Sequence, residues 1–130
     1  AWDGSGGGVS AYESQPDYQT QYKISKAGGM RAVPDVSFNA DPASGVSVYF
    51  GKNWYVLGGT SAAAPAWAGI KALGDSADNS KFYADKIGKK AKSFFRDIRS
   101  GTNGDCGFFC DAHAHYDYIT GLGSPLTVQF

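Results

Sequence analysis

The sequence predicts an α/β fold, and three observations carry that reading. Val46, Val48 and Phe50 alternate with polar or small residues, as a half-buried strand does, and Val33, Val36 and Phe38 form a similar run before them. The stretch SAAAPAWAGIKALG is dominated by alanine, has no β-branched run and is apolar nearly all round, which reads as a buried helix. The 18 glycines lie in short clusters rather than in a repeat, as tight turns between strands do. Strands alternating with buried helices favour an α/β sheet.

Taken in order, GSGGGVS is too rich in glycine to be other than a loop or turn. SAYESQPDYQTQYKI mixes aromatic and polar residues around Pro16, which predicts irregular chain or a short helix ending there. After Phe38 an Asn39–Asp41–Pro42 turn leads to the 46–50 strand, GKNW turns the chain, and WYVLGG is a third short strand. The alanine-rich helix begins near Ser61 and stops at Gly74. A second helix starts at about residue 81, with Phe82, Ile87, Phe94 and Phe95 as its apolar positions and Lys86, Lys89, Lys90 and Lys92 as a solvated face. From Asp97 onward the chain reads as loop, ending in a short strand LTVQF.

At 130 residues the chain is one domain at most, and it is long enough to bury a core. Its 42% hydrophobic and 15% aromatic content excludes a disordered chain. Twelve basic and 12 acidic residues balance, so nothing points to a nucleic-acid partner. No apolar run is long enough to span a bilayer, and no signal peptide is visible. The chain opens on AWDGSGGGVS without an initiator methionine, so Ala1 is read as a boundary made by processing or cloning.

Ser61 in GGTSAAAP supports two readings. Thr60 or Ser61 can cap the helix by accepting from its free N–H groups. The same geometry suits a nucleophile, because the helix N-terminus offers N–H donors to an oxyanion and Gly58 and Gly59 let a substrate backbone approach. Cys106 and Cys110, in NGDCGFFC, can close a small disulfide loop, which suits a secreted protein. Reduced thiols are the alternative, and Cys106, Cys110, His113 and His115 also form a compact set that zinc could use, at a spacing unlike any common zinc module.

GGTSAAAP resembles the nucleophile motif Gly-Thr-Ser-Ala-x-x-Pro of the sedolisins, the serine-carboxyl peptidases, and also the Gly-Thr-Ser-x-Ala-x-Pro of their structural relatives, the subtilisins. GGGVS, then PDYQ, RAVPDVSFNADPASGVSVY, RDIRSGTNG and YDYITGLGSP resemble sedolisin segments in the sedolisin order, over nearly the whole chain. The resemblance implies a subtilisin-like fold with a mostly parallel sheet, of which residues 1–130 are the C-terminal portion of the catalytic domain. It implies Ser61 as the nucleophile. A sedolisin completes its triad with a glutamate and an aspartate and places a second aspartate in the oxyanion hole, all upstream of the segment matching GGGVS. Glu13 is the only glutamate here; it stands four residues before Asp17 with Pro16 between them, in a stretch that matches a loop rather than the catalytic helix. A subtilisin reading needs a histidine base, and His113 and His115 lie in a segment that matches a sedolisin loop.

The resemblance further implies one calcium ion, held by Asp97, Asp117 and the carbonyls of Ile98, His113 and His115, with water completing the shell. The family usually has glycine where His113 and His115 stand, and a left-handed backbone there disfavours histidine. Asp35 and Asp41 fit turn or buried hydrogen-bonding roles. The expectation is thus a secreted, extracellular, acid-acting endopeptidase whose catalytic acids lie on an N-terminal companion chain. Its substrate is a peptide or protein, with no nucleic acid and no membrane. The alternative is a non-catalytic, calcium-stabilised peptidase-like module.

Overall fold

Strand β1 (Gly8–Ser14) leaves the opening glycine run and pairs antiparallel with β2 (Met30–Val33), with an irregularity in register between Val9 and Ser14. In this computed structural model, residues 1–74, 78–87 and 94–128 are described, without the side chains of 85–87. Between the two strands runs helix α1 (Asp17–Tyr22). The helix therefore starts at Pro16 instead of ending there: Pro16 stands just before it with φ −68° and ψ 154°. Proline is pre-organised for a helix entry, and Asp17 in the first turn complements the dipole.

Strands β3 (Val46–Phe50) and β4 (Asn53–Leu57) form a hairpin in register from Val46↔Leu57 to Phe50↔Asn53. Gly51 and Lys52, at φ 56° and 68°, make its two-residue turn, as tight hairpins require. A connection that short forces antiparallel pairing. Every strand pair among the described residues is antiparallel, including β5 (Phe95–Arg96) with β6 (Ser124–Pro125), so the expected parallel sheet is not formed by these strands. The expected half-burial of 46–50 also fails, since Phe50 is 75% exposed and Trp54 across the hairpin 71%. The last strand among the described residues lies at 124–125, where Phe95 and Arg96 supply its partner; the predicted LTVQF begins after it, and its Gln129 and Phe130 lie outside the described residues.

Helix α2 (Thr60–Leu73) stops at Gly74, as expected, and the Gly74 N–H closes on the carbonyls of Ile70 and Lys71. Its predicted burial is not found: no residue of α2 is buried. Two of its residues reach neighbouring segments: the Trp67 indole N–H donates to the Ser37 carbonyl at 3.0 Å with its ring 5.3 Å from Phe82, and the Lys71 ammonium lies 5.0 Å from the Phe82 ring. Helix α3 (Ser80–Ile87) buries Phe82 and Tyr83, while Phe95 belongs to β5 rather than to that helix. Lys89, Lys90 and Lys92, and the side chain of Lys86, lie outside what is described.

The core is aromatic. Tyr83, Phe82, Phe95, Tyr116 and Tyr118 gather with Ile24, Ala27, Ala32 and Leu122. Tyr18 and Tyr22 of α1 meet Tyr83 at 4.9 and 5.5 Å, and Tyr116 meets Tyr118 edge-on at 5.5 Å. The tail enters this core by backbone contact: a Cβ at Gly121, where φ is +61°, would lie 2.3 Å from the Asp35 carbonyl oxygen. Among the described residues, no helix is long and apolar enough to cross a membrane.

Candidate active site and metal site

The position in front of α2 is Gly59, with φ 92° and ψ 158°. A capping residue without a side chain settles one local question. Neither Thr60 nor Ser61 is the cap, and Ser61 stands second in the helix, exposed. Ala62 and Ala63 donate to the Gly59 carbonyl at 2.9 and 3.3 Å, so the Thr60 and Ser61 amides precede the first helical bonds. Pro65 has no N–H, which leaves the Ser61 carbonyl without its donor four residues on.

The turn that presents Ser61 is held from behind. Gly59 N–H donates to the Ala40 carbonyl at 2.5 Å, and a Cβ at Gly58 would lie 2.5 Å from Cα of Pro42. That supporting turn is closed by Asn39, whose amide donates to the Ser44 carbonyl at 2.8 Å and accepts from the Ser44 hydroxyl at 3.1 Å. Asp41 accepts the Ala43 N–H at 2.9 Å, so it plays the turn role read from the sequence. A cavity of about 620 Å³ lies beside the turn, lined by Trp2, Phe38, Asp41 and Trp67, with Thr60 rather than Ser61 at its edge.

Glu13 is exposed on β1, while Asp17 opens α1, so the two do not share a helix turn. The strongest polar cluster surrounds Asp35 instead. Its carboxylate accepts from Arg31 on both oxygens, from the Tyr83 hydroxyl at 2.6 Å, from Asn79 at 2.8 Å and from Gln19 at 3.1 Å. Burial pushes the Asp35 carboxyl up, but the bonds from Arg31, Tyr83 and Gln19 and the guanidinium charge together hold it below the usual carboxylate range. Burial, then the Asp35 charge, pushes the Tyr83 hydroxyl well above the ordinary tyrosine range. Gln19 is fully buried and also exchanges bonds with Ala32, donating to its carbonyl at 2.8 Å and accepting its N–H at 2.9 Å. Of the two roles the sequence leaves open for Asp35, turn or buried hydrogen bonding, the structure shows the second. Arg31, Gln19, Asn79 and Tyr83 carried no sequence signal.

The 113–117 loop brings two of the expected metal-site residues onto the two aspartates, His115 onto Asp97 and His113 onto Asp117, through their N–H groups. Asp97 accepts the His115 N–H at 3.1 Å on the oxygen that also accepts from Arg99. Asp117 lies fully buried and accepts the His113 N–H at 3.4 Å. Asp117 is fixed by the D-x-x-T pattern: it accepts the N–H groups of Ile119 and Thr120 at 3.0 and 2.7 Å and both its oxygens accept from the Thr120 hydroxyl. That pattern was a readable signal for Thr120 as a supporting residue. His115 does adopt the left-handed backbone, at φ 71°. The other Asp97 oxygen is buried without a hydrogen-bond partner among the described residues. A buried, unpaired carboxylate oxygen is costly unless a cation meets it, so the donor set fits a hard oxygen-seeking ion. No three His, Cys, Asp or Glu side chains converge to hold a metal among the described residues, so the set depends on carbonyls beside its two carboxylates. Zinc is disfavoured, because Cys106 and Cys110 are joined in a disulfide and offer no thiolate.

No protein-family model matches the chain. Individual relatives do. Sedolisin of Pseudomonas sp. (strain 101) is 35% identical over 92% of this chain and 21% of its own length. Xanthomonalisin of Xanthomonas sp. (strain T-22) is 35% identical over 92% of this chain and 15% of its own. Kumamolisin of Bacillus sp. (strain MN-32) is 34% identical over 96% of this chain and 24% of its own. The fold matches a solved structure of Pseudomonas sedolisin, a serine-carboxyl proteinase in complex with two molecules of pseudo-iodotyrostatin. The TM-score is 0.72 at 34% identity, over 92% of this chain and 33% of that one. The chain spans about a quarter or less of the length of these curated relatives. Sequence and fold agree along nearly all of the chain: it belongs to the sedolisin family.

Proposed function

We propose that this chain is the nucleophile-bearing, C-terminal part of a secreted, acid-acting serine-carboxyl endopeptidase. The observation that carries the reading is the placement of Ser61. It stands second in α2 behind a glycine cap, so its hydroxyl is not needed to cap the helix, and it lies at the positive end of the dipole. In the complete enzyme the Ser61 oxygen attacks the scissile carbonyl, whose π electrons move to the oxyanion; the oxyanion then collapses, the C–N bond breaks, the amine leaves with the proton taken from the Ser61 hydroxyl, and water later hydrolyses the acyl-enzyme that remains. The Ser61 N–H donates to that oxyanion. A glutamate outside this chain takes the hydroxyl proton, and a protonated aspartate, also outside it, completes the oxyanion hole. Action in acid suits the lowered Asp35 carboxyl, which keeps the core network charged below the usual carboxylate range.

The partner is the acid-bearing part of the same peptidase, and the substrate is a peptide or protein. The unburied faces of α2 and of the β3–β4 hairpin support such a partner, because apolar surface this broad is normally covered. Calcium would be held by Asp97, Asp117 and the carbonyls of Ile98, His113 and His115. Its charge would meet the unpaired Asp97 oxygen and tie the 97–98 segment to the 113–117 loop.

The test is hydrolysis of an unstructured protein substrate at acid pH. The 130-residue chain alone is inactive, and adding a polypeptide that supplies the sedolisin-type glutamate and aspartates restores cleavage, which Ser61→Ala abolishes. Cleavage by the chain alone that is lost in Ser61→Ala would remove the need for a partner. Restored cleavage that survives Ser61→Ala would remove Ser61 as the nucleophile.

A further inference from the structure

The two segments that carry the proposed calcium ligands are the two stems of one loop. Asp97 and Ile98 precede it, and His113, His115 and Asp117 follow it. Between them, Ala112 N–H donates to the Gly101 carbonyl at 2.9 Å, Asn103 N–H donates to the Cys110 carbonyl at 3.1 Å, and Thr102 bridges Asp111. The tip is closed by the Cys106–Cys110 disulfide around a single 3-10 turn, Gly107–Phe109. One turn held by one or two backbone bonds is not stable by itself, so the covalent bridge is what keeps it formed.

That turn places two rings under the calcium loop. Phe108 faces the His113 imidazole at 4.6 Å with planes 30° apart, and Phe109 meets Tyr118 at 4.9 Å. The Lys26 ammonium, in the turn between α1 and β2, lies 3.8 Å from the Phe108 ring centre. His113, whose N–H donates to Asp117, and Tyr118, next to Asp117 in the chain, thus rest on the two rings of this turn.

We propose that the Cys106–Cys110 loop is the positioning frame of the calcium site and that Phe108 is the residue through which it acts. The proposal rests on the calcium reading given above. With the bridge closed, the Phe108 ring fixes His113, whose N–H donates to Asp117 and whose carbonyl would serve as a ligand in the proposed site. With the bridge opened, the turn around Phe108 melts, His113 loses its platform, and the carbonyls of 113 and 115 must be ordered at the expense of binding. By linkage the coupling is reciprocal, so calcium must also protect the bridge against reduction.

Calcium affinity of the 130-residue chain is measured by titration calorimetry at neutral pH, well below the unfolding midpoint, with circular dichroism as the check of fold. Cys106→Ser/Cys110→Ser raises the calcium Kd by about fivefold or more, the lower end of ordinary coupling between sites. Phe108→Ala, with the bridge intact, shifts Kd in the same direction, and Phe108→Tyr restores it. Saturating calcium shifts the redox equilibrium of the native bridge with dithiothreitol toward the closed form, the dithiothreitol supplying the two electrons and two protons that turn the bridge into two thiols. If the double-cysteine variant does not fold, the two Phe108 variants decide. Equal Kd in folded wild-type and Phe108→Ala chains overturns the proposal while leaving the calcium site standing. No calcium binding by the oxidised wild-type chain overturns both the site and the frame built on it.

Discussion

Asp35 shows what a single residue does here. It is 8% exposed and gathers hydrogen bonds from four side chains on three segments, while its charge is matched by Arg31. Its folded carboxyl titrates below the unfolded value of about 4. The stability it contributes is therefore complete above pH ~4 and is lost as pH falls through the lowered folded value. Asp35→Asn keeps the shape but leaves the Arg31 charge unmatched, and breaking a buried pair costs about 3 kcal/mol or more. Urea unfolding at pH 6 should show that loss, and the same titration between pH 2 and 5 should show a flatter acid limb than in the unmutated chain. An Asn variant that unfolds at the same urea concentration as wild type, with the same acid limb, would contradict the assignment. The sequence showed Asp35 as a residue in need of partners, but Gln19, Asn79 and Tyr83 are 16, 44 and 48 positions away, beyond any periodicity. His115 was legible in the opposite sense: histidine stood where the family has glycine, and its φ of 71° shows why glycine suits the place.

At the scale of elements, composition located the helices and the hairpin but not their surroundings. The stop at Gly74 and the turn before Asn53 follow from local rules, and both were legible. Proline both ends and begins helices, so Pro16 alone does not say on which side of it the helix lies; α1 follows it, from Asp17. The glycine turn before Ser61 was read as room for a substrate. It also serves packing: Gly58 has no positive φ, yet a Cβ there would meet backbone atoms of Pro42 at 2.5 and 2.6 Å. Gly58→Ala is therefore penalised by overpacking alone, by about 1–3 kcal/mol. Thermal unfolding should register the loss, and Pro42→Ala should not rescue it, because the collision is with main chain. A Gly58→Ala chain as stable as wild type would mean that the 39–44 turn does not brace the nucleophile turn.

At the scale of the whole molecule, the chain exposes more surface than its mass warrants. Its accessible area is 7970 Å², whereas a monomer of 13.7 kDa exposes about 6,600 Å². Among the described residues, the open faces of α2 and of the β3–β4 hairpin contribute to that excess. It coincides with apolar residues that a solvated domain would hide, among them Phe50 and Leu73, each 75% exposed. The sequence predicted that α2 would be buried because it is apolar nearly all round, and a helix of that composition is burdened by water on any face left open. The composition thus describes α2 as covered, while the 130 residues leave it open, and the proposed acid-bearing partner accounts for the difference. Two measurements on the chain alone follow. It should bind a hydrophobic dye such as anilinonaphthalene sulfonate while still unfolding cooperatively, which separates an open face from a molten core. In sedimentation velocity it should self-associate as concentration rises, and the polypeptide that restores cleavage should suppress both dye binding and association. A chain that stays monomeric without binding dye would show that α2 and the hairpin are tolerated in water, and the argument for a covering partner would fall with it.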